Sequence, residues 1–98
     1  MIAATADSLG PAVSRFNSSE AARTVAGLAR TLGKPRVSIG AAAGSPGAAR
    51  ITVAWDLTWY QWWVAGADGE ESVAELAHGT ELDQLDVAAR QWNAQWRD

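Results

Sequence analysis

The stretch that most constrains this chain is residues 50–65, which read R-I-T-V-A-W-D-L-T-W-Y-Q-W-W-V-A. It contains four of the six Trp residues and the single Tyr, together with several β-branched side chains. Residues of these types favour the pleated, half-buried surface of a β-sheet, and each large aromatic side chain buries roughly 150–250 Å². We therefore expect this stretch to form the centre of the core.

Within this stretch we predict strands over residues 50–56 and 59–65, joined by a tight turn at Leu57-Thr58. Alternate residues of a strand point to the same face, and this pairing would place Trp55 opposite Tyr60. One face of the sheet then collects six large side chains: Ile51, Val53, Trp55, Tyr60, Trp62 and Val64. Because Leu-Thr is poor turn chemistry, a single long bulged strand is the alternative.

Two further strands are predicted, one on each side of this pair. Residues 36–42 alternate apolar with polar or small side chains, and the following G-S-P-G predicts a type II turn with Pro46 at i+1 and Gly47 at i+2. Asp68-Gly69 is the strongest hairpin signal in the chain. It predicts a strand over residues 71–78, which would pair with the preceding strand as follows: Val73 with Val64, Ala74 with Trp63, Glu75 with Trp62, and His78 with Trp59. A helical turn over residues 70–78 is the alternative.

Helical periodicity flanks the predicted strands on both sides. Apolar residues recur at helical spacing from Ala21 to Leu32, with Asn17 as N-cap, Glu20 completing a capping box, and Gly33 ending the helix. A second helix is predicted to open near Thr80, with Asp83 at the capping-box position. Its apolar face would hold five residues at helical spacing: Leu82, Leu85, Ala89, Trp92 and Trp96.

The predicted order is α-β-β-β-β-α, an α+β two-layer sandwich in which a four-stranded antiparallel meander carries both helices on one face. Residues 1–15 are unpatterned and contain Gly10-Pro11, which breaks regular structure. We therefore expect a loose N-terminal arm over residues 1–15 and a single α+β domain over residues 16–98.

A three-stranded version of this fold would read α-β-β-β-α, which is the order of double-stranded-RNA-binding domains. Those domains place a Lys-rich cluster at the start of the final helix. This chain reads T-E-L-D-Q-L-D there, which would repel phosphates. A nucleic-acid partner is therefore not expected.

Composition excludes several function classes. The absence of Cys removes disulfides, thiolate zinc sites and thiol nucleophiles. No apolar run approaches the roughly 20 residues that span a bilayer, and the first residues lack the pattern of a secretory signal, so we expect a cytoplasmic protein with no membrane partner. The abundance of Ala and the preference for Arg over Lys are typical of a high-GC bacterial genome.

Charge is unevenly distributed along the chain. Residues 1–50 carry six basic side chains against two acidic ones, whereas residues 51–98 carry two basic against nine acidic. Such asymmetry can mark a partner surface, but the two halves can equally neutralise each other in the folded domain. We expect the second arrangement.

Catalytic and metal-binding motifs are weak in this sequence. His78 is the single His, and its neighbours Ser72, Glu75 and Thr80 form no triad or metal-ligand spacing that the sequence can establish. We predict no catalytic residue, no metal site and no cofactor, and we do not expect an enzyme.

The best functional hypothesis comes from the second sheet face. With both helices packed on the face of Trp62, the other face would expose Trp59, Trp63 and Leu76, and a patch of that size marks an interface. We therefore expect a protein-interaction module that self-associates or binds a protein partner. The alternative is a small-molecule-binding module that uses the same surface, with His78, Asp56 and Gln61 as polar groups. A hydrolase-like enzyme built on His78 and a carboxylate ranks last.

Overall fold

The computed structural model describes residues 1–3, 9–44, 46–66 and 73–97. Within these residues, helices α1 (Gly10–Asn17) and α2 (Glu20–Leu32) precede five strands. The strands are β1 (Arg36–Ala41), β2 (Ala49–Ala54), β3 (Trp59–Val64), β4 (Val73–Gly79) and β5 (Ala94–Gln95). They form one antiparallel sheet in the order β4-β3-β2-β1-β5. The α+β class is confirmed, but the sheet has one strand more than predicted, and both helices come before it in the chain.

Helix α1 lies where the sequence predicts a loose arm. Pro11 occupies its first turn, where the fixed φ of proline suits a helix and its missing N–H has no partner to lose. The buried face of the helix consists of three residues: Ala12, Val13 and Phe16. The expectation of a loose arm is therefore wrong for residues 10–15, and Ile2 is also fully buried. Residues 4–8 of that arm lie outside the described residues.

Helix α2 covers the predicted apolar stretch, and Gly33 ends it with a φ of +92°, a value that favours glycine. The predicted N-cap is wrong, because Ser19 occupies that position. Asn17 instead ends α1, and its side chain holds the backbone of Ile2 through two hydrogen bonds. The Ile2 N–H donates to Oδ1 at 2.8 Å, and Nδ2 donates to the Ile2 carbonyl at 2.9 Å.

The turn between β2 and β3 is longer than predicted. It comprises residues 55–58, closed by a 2.8 Å hydrogen bond from the Trp55 N–H to the Thr58 carbonyl. Ile51 therefore lies opposite Trp62, a shift of two residues from the predicted pairing. Because side chains alternate with a period of two, this shift leaves every residue on its predicted face. In the β1–β2 turn, Gly47 has the φ of +77° that a type II turn needs at i+2.

Strand β4 confirms the predicted pairs of Val73, Ala74 and Glu75, so the helical alternative is wrong for residues 73–78. The predicted turn at Asp68-Gly69 lies outside the described residues. A bulge at Leu76 inserts an extra residue opposite the Gln61–Trp62 step of β3. As a result His78 lies opposite Tyr60, and Gly79, not His78, lies opposite Trp59.

The sheet is covered on both faces. We call the face that carries Ile51, Val53 and Trp62 the helix face, because α1 and α2 pack on it. We call the other the opposite face, and residues 80–92 the C-terminal segment. Within this segment, Leu85 and Ala89 are buried against Ala54 and Trp59 of the opposite face.

The predicted C-terminal helix is wrong. The segment instead forms two short 3₁₀ turns, Leu82–Gln84 and Ala88–Arg90, and a capping box at Glu81 and Gln84 replaces the predicted one at Thr80 and Asp83. Trp92 adopts a φ of +48°, outside the helical range.

Hydrogen bonds to β1 explain this path. The Trp92 N–H donates to Ser38 Oγ at 2.7 Å. The Asn93 side chain then bonds both backbone groups of Ile39, at 2.8 and 2.9 Å. Side-chain bonds of this kind compete with a helical backbone. They draw the chain along the edge of β1, where β5 forms.

Residues 1–3 complete this side of the sheet by pairing with residues 95–97. The Ala3 N–H donates to the Gln95 carbonyl at 2.9 Å, and the Arg97 N–H donates to the Met1 carbonyl at 2.6 Å. Ile2 and Trp96 form the bridge between the two segments, and both side chains enter the core under α2.

We expect Trp55→Ala and Trp59→Ala to destabilise the protein by similar amounts, about 3–5 kcal/mol each. Both side chains are 5% exposed, on opposite faces of the sheet. Each indole N–H also donates to a backbone carbonyl, that of Gly33 at 2.7 Å and that of Glu81 at 2.9 Å. Denaturant unfolding measures both losses, with the half-buried Trp63→Ala as a milder control. A small loss for Trp59→Ala would contradict the burial of the opposite face.

Candidate functional site

The structure places Trp59 and Trp63 on the same face, as predicted, but it does not leave them free. Trp59 is 5% exposed beneath Leu85 and Ala89, and a Cβ at position 79 would lie 2.6 Å from its ring. Trp63 is half-buried, and its indole N–H donates to the Ala43 carbonyl at 2.8 Å. The expectation that Trp59 lies on an exposed face is therefore wrong, because the C-terminal segment covers it.

The other four candidate residues are dispersed. Gln61 is half-buried on the opposite face, where its amide donates to Thr52 Oγ1 at 3.1 Å. Asp56 lies in the exposed β2–β3 turn, 3.2 Å from Arg36 Nη2. Leu76 is 52% exposed at the bulge of β4. His78 lies on the helix face, so these residues form no common site.

An ion pair fastens the C-terminal segment over the opposite face. Arg50 on β2 donates from both terminal nitrogens to Asp86, at 2.9 and 3.2 Å. Asp86 also accepts the Ala89 N–H at 2.9 Å. The Arg50 guanidinium, followed by this backbone hydrogen bond, lowers the pKa of the Asp86 carboxyl below its usual value.

A large cavity lies on the helix face. It is an open cleft of about 900 Å³ between α1, the start of α2 and the β3–β4 side of the sheet. Its sheet wall consists of Trp62, Val73 and Glu75. Its helix wall is rich in hydroxyl and charged groups: Ser14, Arg15, Ser18, Ser19, Glu20 and Thr24.

A row of aromatic rings runs beside this cleft from the core to the edge of the sheet. Phe16 of α1 meets Trp62 edge-on with 5.3 Å between ring centroids, and Trp62 stacks on Tyr60 at 5.7 Å. The His78 ring lies 6.0 Å beyond Tyr60. Aromatic contacts of this geometry hold each ring in place. In the sheet wall of the cleft, the Trp62 ring is therefore packed between those of Phe16 and Tyr60.

The charges around the cleft are unequally paired. Glu20 bonds Arg23 at 2.5 Å, and Glu75 lies 3.1 Å from His78 Nδ1. Arg15 instead donates through Nη1 to two backbone carbonyls at the end of β3, that of Ala65 at 2.8 Å and that of Gly66. Within the described part of the chain, its guanidinium contacts no carboxylate.

Sequence reasoning assigned Trp62 to the core and did not single out Arg15 or the serines beside it. Helix α1 was not predicted from the sequence. Pro11 can be read as a helix start, and Ala12, Val13 and Phe16 then share a helical face. Those two signals together would have placed Ser14 and Arg15 on a helix beside the sheet.

Comparisons with protein-family models, curated proteins and solved structures find no match for this chain. Among residues 1–3, 9–44, 46–66 and 73–97, no three His, Asp or Glu side chains gather as a metal site would require. No helix in the same residues has the length and apolar character needed to cross a bilayer. Two features remain that could serve a function, the cleft and the outer edge of β4.

We expect the stability difference between the wild type and Asp86→Asn to depend on pH. In the folded state the pKa of Asp86 lies below its value in the unfolded chain. At a pH between these two values, the unfolded chain therefore binds more protons than the folded one. The contribution of Asp86 is therefore complete at neutral pH, above the unfolded value of about 3.9. It is lost as the pH falls through the folded pKa.

Chemical denaturation from pH 7 down to pH 3 tests this dependence. The wild type should be the more stable protein at pH 7, and the two curves should converge at the acid end. Asp83→Asn is the matched control, because Asp83 is exposed in the same segment and forms no ion pair with the described residues. A pH-independent difference would show that the Arg50–Asp86 ion pair does not fasten the segment.

Proposed function

We propose that this protein is a small-molecule-binding module whose site is the cleft between α1, α2 and the sheet. The observation that carries the proposal is the cleft itself. Its volume of about 900 Å³ falls in the range of ligand pockets, and an apolar base with a few converging polar groups is their usual composition. This keeps the small-molecule hypothesis but moves it from the face of Trp59 and Trp63 to the face of Trp62.

Contacts between neighbouring elements also hold the walls of the cleft together. Trp62 is held between Phe16 and Tyr60, and Arg15 ties α1 to the end of β3. A site whose walls are already ordered loses little conformational entropy when a ligand binds. Exposed hydroxyl groups on the helix wall can then hydrogen-bond the ligand without a buried polar group being left unpaired.

A fragment screen by two-dimensional NMR tests this function. We expect some fragments to shift the Trp62 indole N–H and the Val73 methyl resonances together, because both side chains line the cleft. Thr24→Phe should abolish these shifts by filling the cleft from an exposed position on α2.

Thr31→Phe is the matched control, since Thr31 is exposed on the same helix but does not line the cleft. It should leave fragment binding unchanged. A screen in which no fragment shifts Trp62 and Val73, or in which both variants behave alike, would refute the cleft as the binding site.

A second candidate function is protein binding through β4. One observation favours it: within the described residues β4 has a neighbouring strand on only one side, and Leu76 on it is 52% exposed. An extended segment of a partner, or of a second copy, can add to such an edge. The bulge at Leu76 limits regular pairing to a few residues on either side.

Sedimentation at several protein concentrations tests self-association through this edge. We expect any dimer to be weak, and Leu76→Lys should abolish it by placing a charge on the edge. Val87→Lys, at an exposed apolar position of the C-terminal segment, is the control. A dimer that survives Leu76→Lys would place the interface elsewhere.

A further inference from the structure

Among the described residues, Arg15 is the basic side chain of the cleft, and its guanidinium contacts no carboxylate there. The residue is half-buried, and both acceptors of its guanidinium are neutral backbone carbonyls at the end of β3. Of the two carboxylates that line the cleft, Glu20 pairs with Arg23, and Glu75 lies 3.1 Å from His78 Nδ1. Withdrawing a charge from water without an opposite charge nearby is unfavourable, so Arg15 favours a ligand that brings one.

The geometry of Arg15 suits recognition of a planar anion. A guanidinium presents five N–H donors in a fixed fork, and the two carbonyls engage only Nη1. These bonds hold the side chain in one orientation while Nε and Nη2 make no hydrogen bond to the described residues. A carboxylate can accept two parallel hydrogen bonds from such a group. Ser14 and Ser18, which line the same wall, offer further donors.

We infer that the cleft binds a small organic molecule with a single carboxylate group, which pairs with Arg15 while its apolar part contacts Trp62 and Val73. This inference rests on the proposed binding function. The single charge follows from the lining, because Arg15 is its one basic side chain among the described residues and an anion with one charge matches it. The apolar part follows from the sheet wall, where two of the three lining side chains are apolar.

The experiment compares carboxylates with their uncharged counterparts by NMR titration. The probes are benzoate and 3-phenylpropionate, the matched amides benzamide and 3-phenylpropionamide, and inorganic phosphate. We expect the carboxylates to shift the Trp62 and Val73 resonances and to bind at least about tenfold more tightly than the amides, as expected for charge-assisted hydrogen bonds. Phosphate should bind more weakly than the carboxylates.

Two variants test the role of Arg15 directly. Arg15→Gln keeps a donor for the carbonyls of β3 but removes the charge, and it should weaken carboxylate binding about tenfold and amide binding by clearly less. Arg15→Lys keeps the charge without the fork and should fall between the two. Arg30→Gln is the control, because it removes a charge from an exposed position of α2 outside the cleft.

The outcomes separate this inference from the proposed function. Amides that bind in the cleft as tightly as the carboxylates, tighter binding of phosphate, or carboxylate binding unaffected by Arg15→Gln would each overturn the inference and leave the binding function standing. No shift of Trp62 and Val73 with any probe, in a protein that also fails the fragment screen, would overturn both. Should Arg15→Gln fail to fold, Arg15→Lys and the comparison of carboxylates with amides decide the question.

Discussion

Strand β3 sets the constraint on which the rest of the structure depends, because it carries large aromatic side chains on both faces. Tyr60 and Trp62 project to one side, and Trp59 and Trp63 to the other. Leaving either pair in water would forfeit the burial of several hundred Å² of apolar surface. The sheet therefore needs two covers. The helices supply one and the C-terminal segment supplies the other, so the fold has three layers on this part of the sheet.

Polar contacts set the conformation of the second cover. Leu85 and Ala89 supply its apolar contact with the sheet, but its path is set by Asp86, Trp92 and Asn93, each bonded to β1 or β2. Apolar burial is non-directional, whereas hydrogen bonds require particular partners at particular distances. The segment thus gains its affinity for the sheet from burial and its specific conformation from these bonds.

Local patterns predicted the parts of the fold that depend on side-chain alternation or on a single helical face. The predicted pairing of β2 with β3 was shifted by two residues, but the predicted faces were correct, because a shift of two residues preserves the face of every side chain. Residues 82–96 have helical spacing, yet they form no helix, because Ser38 and Ile39 offer hydrogen bonds that no local pattern reveals.

The prediction of the candidate site was wrong because it also depended on tertiary structure. The bulge at Leu76 moved His78 to the other face, and the C-terminal segment covered Trp59. A bulge and a covering segment are tertiary features, and the residue types at those positions do not predict them. The cleft depends on α1. From the sequence, Gly10-Pro11 is expected to break regular structure, whereas Pro11 lies in the first turn of this helix. Without the helix, no neighbours of Arg15 could be predicted.

The pairing of residues 1–3 with residues 95–97 bears on how the chain acquires its structure. Ile2 and Trp96 meet across almost the whole sequence, and contacts between distant residues form slowly because a long loop must close first. During synthesis, β1 keeps an unpaired edge until residues 94–97 have been added, although its pairing with β2 can form much earlier. The newly made chain therefore passes through a stage with an open strand edge, at which it can pair with other chains. Faster closure of this ladder shortens that stage.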